Sequence, residues 1–93
     1  MNLKEAIKTM LTNEQIHFIR DDIEISIETK FNVDCSASKY LKMIINGFET
    51  SFYMFCYNPY FNLNHRVNND IDEQLEKFLY KMKLYNNLDW SEK

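Results

Sequence analysis

Tyr40-Leu41-Lys42-Met43-Ile44-Ile45-Asn46-Gly47-Phe48-Glu49-Thr50-Ser51-Phe52-Tyr53-Met54-Phe55-Cys56-Tyr57 reads as two apolar runs around an Asn-Gly pair. Asn-Gly between such runs marks a β-hairpin, because both central residues of a type I′ turn need positive φ. A two-residue loop at Asn46-Gly47 fixes the register: Ile45 opposite Phe48, Met43 opposite Thr50, Leu41 opposite Phe52. Strict alternation carries the pattern outward. Leu41, Met43, Ile45, Phe48, Thr50, Phe52, Met54 and Cys56 then share one face. Tyr40, Lys42, Ile44, Glu49, Ser51, Tyr53, Phe55 and Tyr57 share the other.

Upstream, Ile23, Ile25, Ile27, Thr29 and Phe31 alternate with Glu24, Ser26, Glu28 and Lys30, the pattern of a half-buried strand. Arg20-Asp21-Asp22 reads as a turn, preceded by a short strand at Ile16 to Ile19. Asn32 to Ser38 is a polar connection, and Asn58-Pro59-Tyr60 stops the last strand.

Both ends are helical. Leu3, Ile7, Met10 and Leu11 recur at helical spacing, with Asn2 as cap and Glu5 completing a capping box. Residues 60–69 read as an asparagine-rich connection. Asp70, with Glu73 three residues on, then opens a helix whose apolar stripe is Ile71, Leu75, Phe78, Leu79, Met82 and Tyr85. Acidic residues in its first turn and lysines in its last complement the helix dipole. The tail from Asn86 is expected to be irregular, with Trp90 folding back on the core.

The expected architecture is a single α+β domain over 1–93. An antiparallel sheet of three or four strands carries both helices on one face (α-β-β-β-β-α), in two layers. The expected buried sheet face is Ile23, Ile25, Ile27, Leu41, Met43, Ile45, Phe48, Phe52 and Met54.

Composition bounds the function classes. The 93 residues are 45% hydrophobic and 27% charged, with one Gly and one Pro, so they read as one folded domain. A net charge of −3 and only two arginines, Arg20 and Arg66, argue against direct nucleic-acid binding. Met1-Asn2-Leu3-Lys4-Glu5 has no signal-peptide core and no apolar run approaches a membrane span, so a cytoplasmic protein with no membrane partner is expected. Cys35 and Cys56 are then expected as reduced thiols of core type. Phe, Tyr, Met, Ile, Asn and Lys make up half the chain, the imprint of AT-rich codons found in low-GC bacteria, their phages and plasmids.

No motif points to catalysis or a cofactor, and an enzyme is not expected. His17 and His65 are the sole histidines, and neither has a nucleophile beside it in sequence. There is no CxxC, HxH or HExxH. Asp70, Asp72 and Glu73 lack the glycine and closing glutamate of a calcium loop and are accounted for as a helix start. One glycine in the whole chain excludes a phosphate-cradling loop.

Two features suggest a binding surface. The run Phe52-Tyr53-Met54-Phe55-Cys56-Tyr57 is expected to send Tyr53, Phe55 and Tyr57 to the open face beside Tyr40. Tyrosine-rich patches anchor protein interfaces. Nucleobase stacking is disfavoured because Glu24, Glu28 and Glu49 share that face without arginines. The second feature is acidic. Asp22, Glu24 and Glu28 are spaced about 6.5–7 Å per two residues on a strand, near the phosphate spacing of one nucleic-acid strand. Lys30 and Lys42 interrupt that stripe.

The expected function is therefore a small non-enzymatic protein-binding module. Size and composition suggest a phage or mobile-element accessory protein that stoichiometrically inhibits a host nucleic-acid-handling or defence machine, as anti-CRISPR proteins do. Its partner would be a protein, with a nucleic-acid-binding protein as one candidate. The second expectation is a chaperone-like or assembly subunit acting as a homodimer. The helix, antiparallel sheet, helix order is similar to that of bacterial secretion-chaperone-like folds, a likeness of topology that implies little about activity.

Overall fold

A computed structural model describes residues 1–58 and 64–93, the side chains of 64–70 excepted. The elements run α1 (Leu3–Thr12), β1 (Phe18–Arg20), β2 (Ile23–Phe31), β3 (Ala37–Ile45), β4 (Phe48–Tyr57), α2 (Asn64–Lys81), α3 (Lys83–Asn86) and β5 (Ser91–Glu92). The described strands form one antiparallel sheet in the order β4-β3-β2-β1-β5. Leu3, Ile7 and Met10 of α1 and Leu75, Phe78 and Leu79 of α2 share one buried cluster with Ile25, Ile27, Leu41 and Met43 of the sheet. Helices on one sheet face make the expected two-layer α+β domain.

Helix α1 forms as its caps dictate. The Asn2 side chain accepts a hydrogen bond from the Glu5 N–H at 2.9 Å, satisfying one of the first-turn donors. Two ion pairs then tie α1 to α2, Lys4 to Glu76 at 2.6 Å and Lys8 to Asp72 at 2.6 Å.

The hairpin forms in the expected register, with Ile45 opposite Phe48, Met43 opposite Thr50 and Leu41 opposite Phe52. Asn46 has φ 52° and Gly47 φ 84°, as the two-residue turn requires. The register then shifts. Tyr40 faces Tyr53, but Lys39 faces Phe55, so Met54 is an extra residue in β4. This β-bulge lets the consecutive residues Met54 and Phe55 both turn toward the core, where they are 6% and 7% exposed.

The bulge overturns part of the expected sorting. Beyond it, Phe55 and Tyr57 pair with Lys39 and Ala37, on the helix side of the sheet. Cys56 pairs with Ser38 on the open side and is exposed. Cys35 is exposed as well, so neither thiol is of core type, and both are free. Phe48 is on the helix side as expected, yet 80% exposed, because it ends the sheet beyond the buried helix contacts. Phe31, at the other end of that face, is 73% exposed, although Ala37 opposite it is buried.

Other boundaries also differ. Strand β1 is Phe18–Arg20 and not Ile16 to Ile19, so Arg20 lies in the strand and not in the expected turn. The helix expected to reach Tyr85 ends at Lys81, and Tyr85 lies in α3. Strand β3 begins at Ala37, inside the expected polar connection, and Ala37 and Ser38 are buried. Helix α2 begins at Asn64, so Asp70 lies within the helix and is not its start. The tail contributes β5, which pairs with β1 and raises the sheet to five strands. Trp90 does fold back, 2% exposed, with its backbone N–H on the Met1 carbonyl at 2.7 Å. The expected stop at Pro59-Tyr60, the connection from 60 to 63, and the side chains of His65, Arg66 and Asp70 lie outside the described residues.

Candidate interaction face

The side of the sheet away from the helices is a grid of cross-strand rows. Lys30, Ser38 and Cys56 form one row; Glu28, Tyr40 and Tyr53 the next; Ser26, Lys42 and Ser51 the third. The fourth runs Ser91, Ile19, Glu24, Ile44 and Glu49 across all five strands. Alternation produces the grid along each regular strand, since residues two apart return to the same face, and the Met54 bulge puts Cys56 in place of Phe55 in its last row.

Its aromatic centre is the Tyr40–Tyr53 pair. The rings meet edge to face, 5.8 Å between centroids at 73°, a favoured arrangement for aromatic pairs. Tyr53 is 55% exposed. Partial burial, with Cys56 and Tyr40 alongside, raises its phenol above the ordinary 10.0, so it stays a neutral hydrogen-bond donor at physiological pH. The Lys30 ammonium sits 4.9 Å from the centre of the Tyr40 ring, in cation–π range.

The charges on the face are balanced. Glu49 pairs with Lys42 at 2.9 Å, and Glu24 pairs with Lys93 at 2.8 Å. His17 Nδ1 lies 2.9 Å from the other Glu24 oxygen. Hydrogen bonds with Lys93 and then with His17 hold the Glu24 carboxyl below its ordinary range. Lys30, through the Tyr40 ring, stands one row from Glu28. Asp22 is exposed in the turn before β2 and is not part of the strand.

The structure thus brings together Tyr40, Tyr53, Glu24 and Glu28 from the expected site. It sends Phe55 and Tyr57 to the opposite face and leaves Asp22 at the edge. Ile19 and Ile44 join the face. The hairpin register places Ile44 on this face, between Glu24 and Glu49. Ile19 was hidden because a three-residue strand shows no clear period.

A separate polar cluster lies on the helix side. Lys39 donates to Glu14 at 2.6 Å and to Thr29, and Thr29 also donates to Glu14. The Lys39 ammonium is 5.6 Å from the Tyr57 ring centre. Burial works to raise the Glu14 carboxyl, but the bonds from Lys39 and Thr29 outweigh it and hold it below its ordinary value. The Lys39 and Thr29 polar groups are satisfied within this cluster, which has the character of a structural lock. Among the described residues, no three His, Cys, Asp or Glu side chains group closely enough to hold a metal, and no helix is long and apolar enough to cross a membrane.

No known protein family, curated protein or solved structure matches the chain.

Proposed function

We propose that the protein is a small non-enzymatic binding module that engages a protein target through the open sheet face, with Tyr40 and Tyr53 at the centre of the contact. The observation that carries this reading is the exposure of Tyr53, stacked edge-on against Tyr40 on paired strands. A tyrosine held in place by its neighbour buries area at low entropic cost, the property that makes such residues interface anchors. Glu24, Glu28, Lys30 and Lys42 surround the pair as a mixed-charge rim. Balanced charge supports a mixed-polarity protein target over occupation of a strongly basic groove. The AT-rich-type composition supports a role as a phage or mobile-element accessory protein that inhibits a host nucleic-acid-handling or defence machine by stoichiometric binding.

Affinity capture from a low-GC bacterial host, with Tyr40→Ser/Tyr53→Ser as control, tests the reading. The wild type should retain a partner in one-to-one ratio. The double variant should keep its circular dichroism spectrum and lose that partner. A folded double variant that holds the same partner equally well contradicts the proposal.

A further inference from the structure

We infer that two copies of this chain associate through the free edges of β4, joining their sheets antiparallel with Ser51 on the two-fold axis. The inference goes beyond the open-face reading and does not depend on it. It starts from the position of β4, last in the strand order, so that among the described residues one of its edges has no partner strand. Sheet edges normally carry devices that discourage pairing, such as lysines, prolines, short length or β-bulges, and the one bulge in β4, at Met54, lies beyond Tyr53. Strand β4 is ten residues long, contains no Lys, Pro or Gly, and has Glu49 as its one charged residue. Residues 48–51 and Tyr53 are exposed.

The turn decides which backbone groups face outward. In a two-residue hairpin the flanking residues, Ile45 and Phe48, form a hydrogen-bonded pair, and pairs then alternate. Phe48, Thr50 and Phe52 therefore bond inward to β3. Glu49, Ser51 and Tyr53 direct their N–H and C=O groups to the free edge. The bulge at Met54 ends this regular stretch.

A two-fold antiparallel pairing can use all three outward residues in one register. Ser51 meets Ser51 of the second copy, and Glu49 meets Tyr53 in both directions. That register puts a carboxylate opposite a phenol that remains a donor. Moving the axis to Glu49 would oppose two carboxylates, which is unfavourable. Moving it to Thr50 or Phe52 would place an outward residue against the turn or past the bulge. The edge is thus complementary to itself, which favours a second copy over an unrelated strand. Pairing also sets Phe48, 80% exposed, opposite the Met54 end of the second strand, covering an apolar side chain left bare in the single chain. Both open faces then lie on one side of a continuous sheet.

The seam is one strand per copy, at the small end of specific interfaces, so the test spans roughly 1 μM to 1 mM of the full chain. Sedimentation velocity should show a monomer passing to a dimer over that range. Ser51→Lys and Ser51→Glu each oppose like charges at the axis and should raise the dimer Kd about tenfold or more. An equal mixture of the two should recover a heterodimer. Ser51→Pro removes an outward N–H without breaking a bond to β3 and should also weaken the dimer. A wild type that stays monomeric throughout overturns the inference. So does a dimer left unchanged by the Ser51 substitutions, or a mixture of folded Ser51→Lys and Ser51→Glu that fails to recover.

Discussion

Lys39 shows how one side chain ties the loop after α1 to the sheet. Its ammonium is held between Glu14 and Thr29, with the side chain 13% exposed. Lys39→Met should cost about 1 kcal/mol, because Glu14 is left partly buried without its cation; its residual exposure keeps the loss near the low end. Adding Glu14→Gln should return part of that loss, as urea denaturation of the single and double variants would show. The carboxylates also set the pH response. Glu24 is held low by its bonds with Lys93 and His17, Asp72 by its bond from Lys8, and Asp89 by the N-terminal ammonium. Glu14 is held low as well, its bonds outweighing burial. A lowered carboxyl in the folded state means that folding favours the ionised form. Its contribution is present above the ordinary values of 3.8 and 4.5 and is lost as pH falls through the lowered ones. The melting temperature should therefore hold down to about pH 5 and then fall. Glu24→Gln should shrink that fall, measured by thermal melts from neutral to acid pH.

At the scale of elements, the hairpin turn was legible because its chemistry is local. Gly47 has φ 84°, and a Cβ there would meet nothing within 4 Å. Gly47→Ala should thus cost about 1 kcal/mol from backbone strain alone. Chemical denaturation checks this, and a neutral result would mean the turn is not as described. The Met54 bulge was not legible. Phe52 to Tyr57 is aromatic on both parities, so no side chain marks the extra residue, and every face beyond it inverts. That is why Tyr53 was placed correctly and Phe55 and Tyr57 were not. The start of α2 was missed for a similar reason. Asp70 and Glu73 have the pattern of a capping box, whereas the polar residues before them have weak helix propensity. Helix α2 nevertheless begins at Asn64.

Across the whole molecule, the core draws on nearly every element, and the tail closes it. Trp90 is buried beside α1 and the sheet, yet its indole N–H has no acceptor among the described residues. Trp90→Ala should cost about 3–5 kcal/mol by loss of packing. Trp90→Phe should cost much less, since the smaller ring loses volume but removes a desolvated donor. Thermal melts of the two variants give the comparison. The two-layer arrangement and its open face were legible because helix stripes and strand alternation both depend on period alone. The exposed end of the buried face at Phe48 was not, because period does not tell how far a helix layer reaches. The central claim is that the bulge divides one aromatic run between two faces, leaving Tyr53 exposed on the open face and Phe55 in the core. Urea denaturation of Tyr53→Ser against Phe55→Ser tests it most directly. Tyr53→Ser should stay within about 1 kcal/mol of wild type, and Phe55→Ser should lose about 3 kcal/mol or more. Equal losses at the two positions, or a larger loss at Tyr53, would contradict the account.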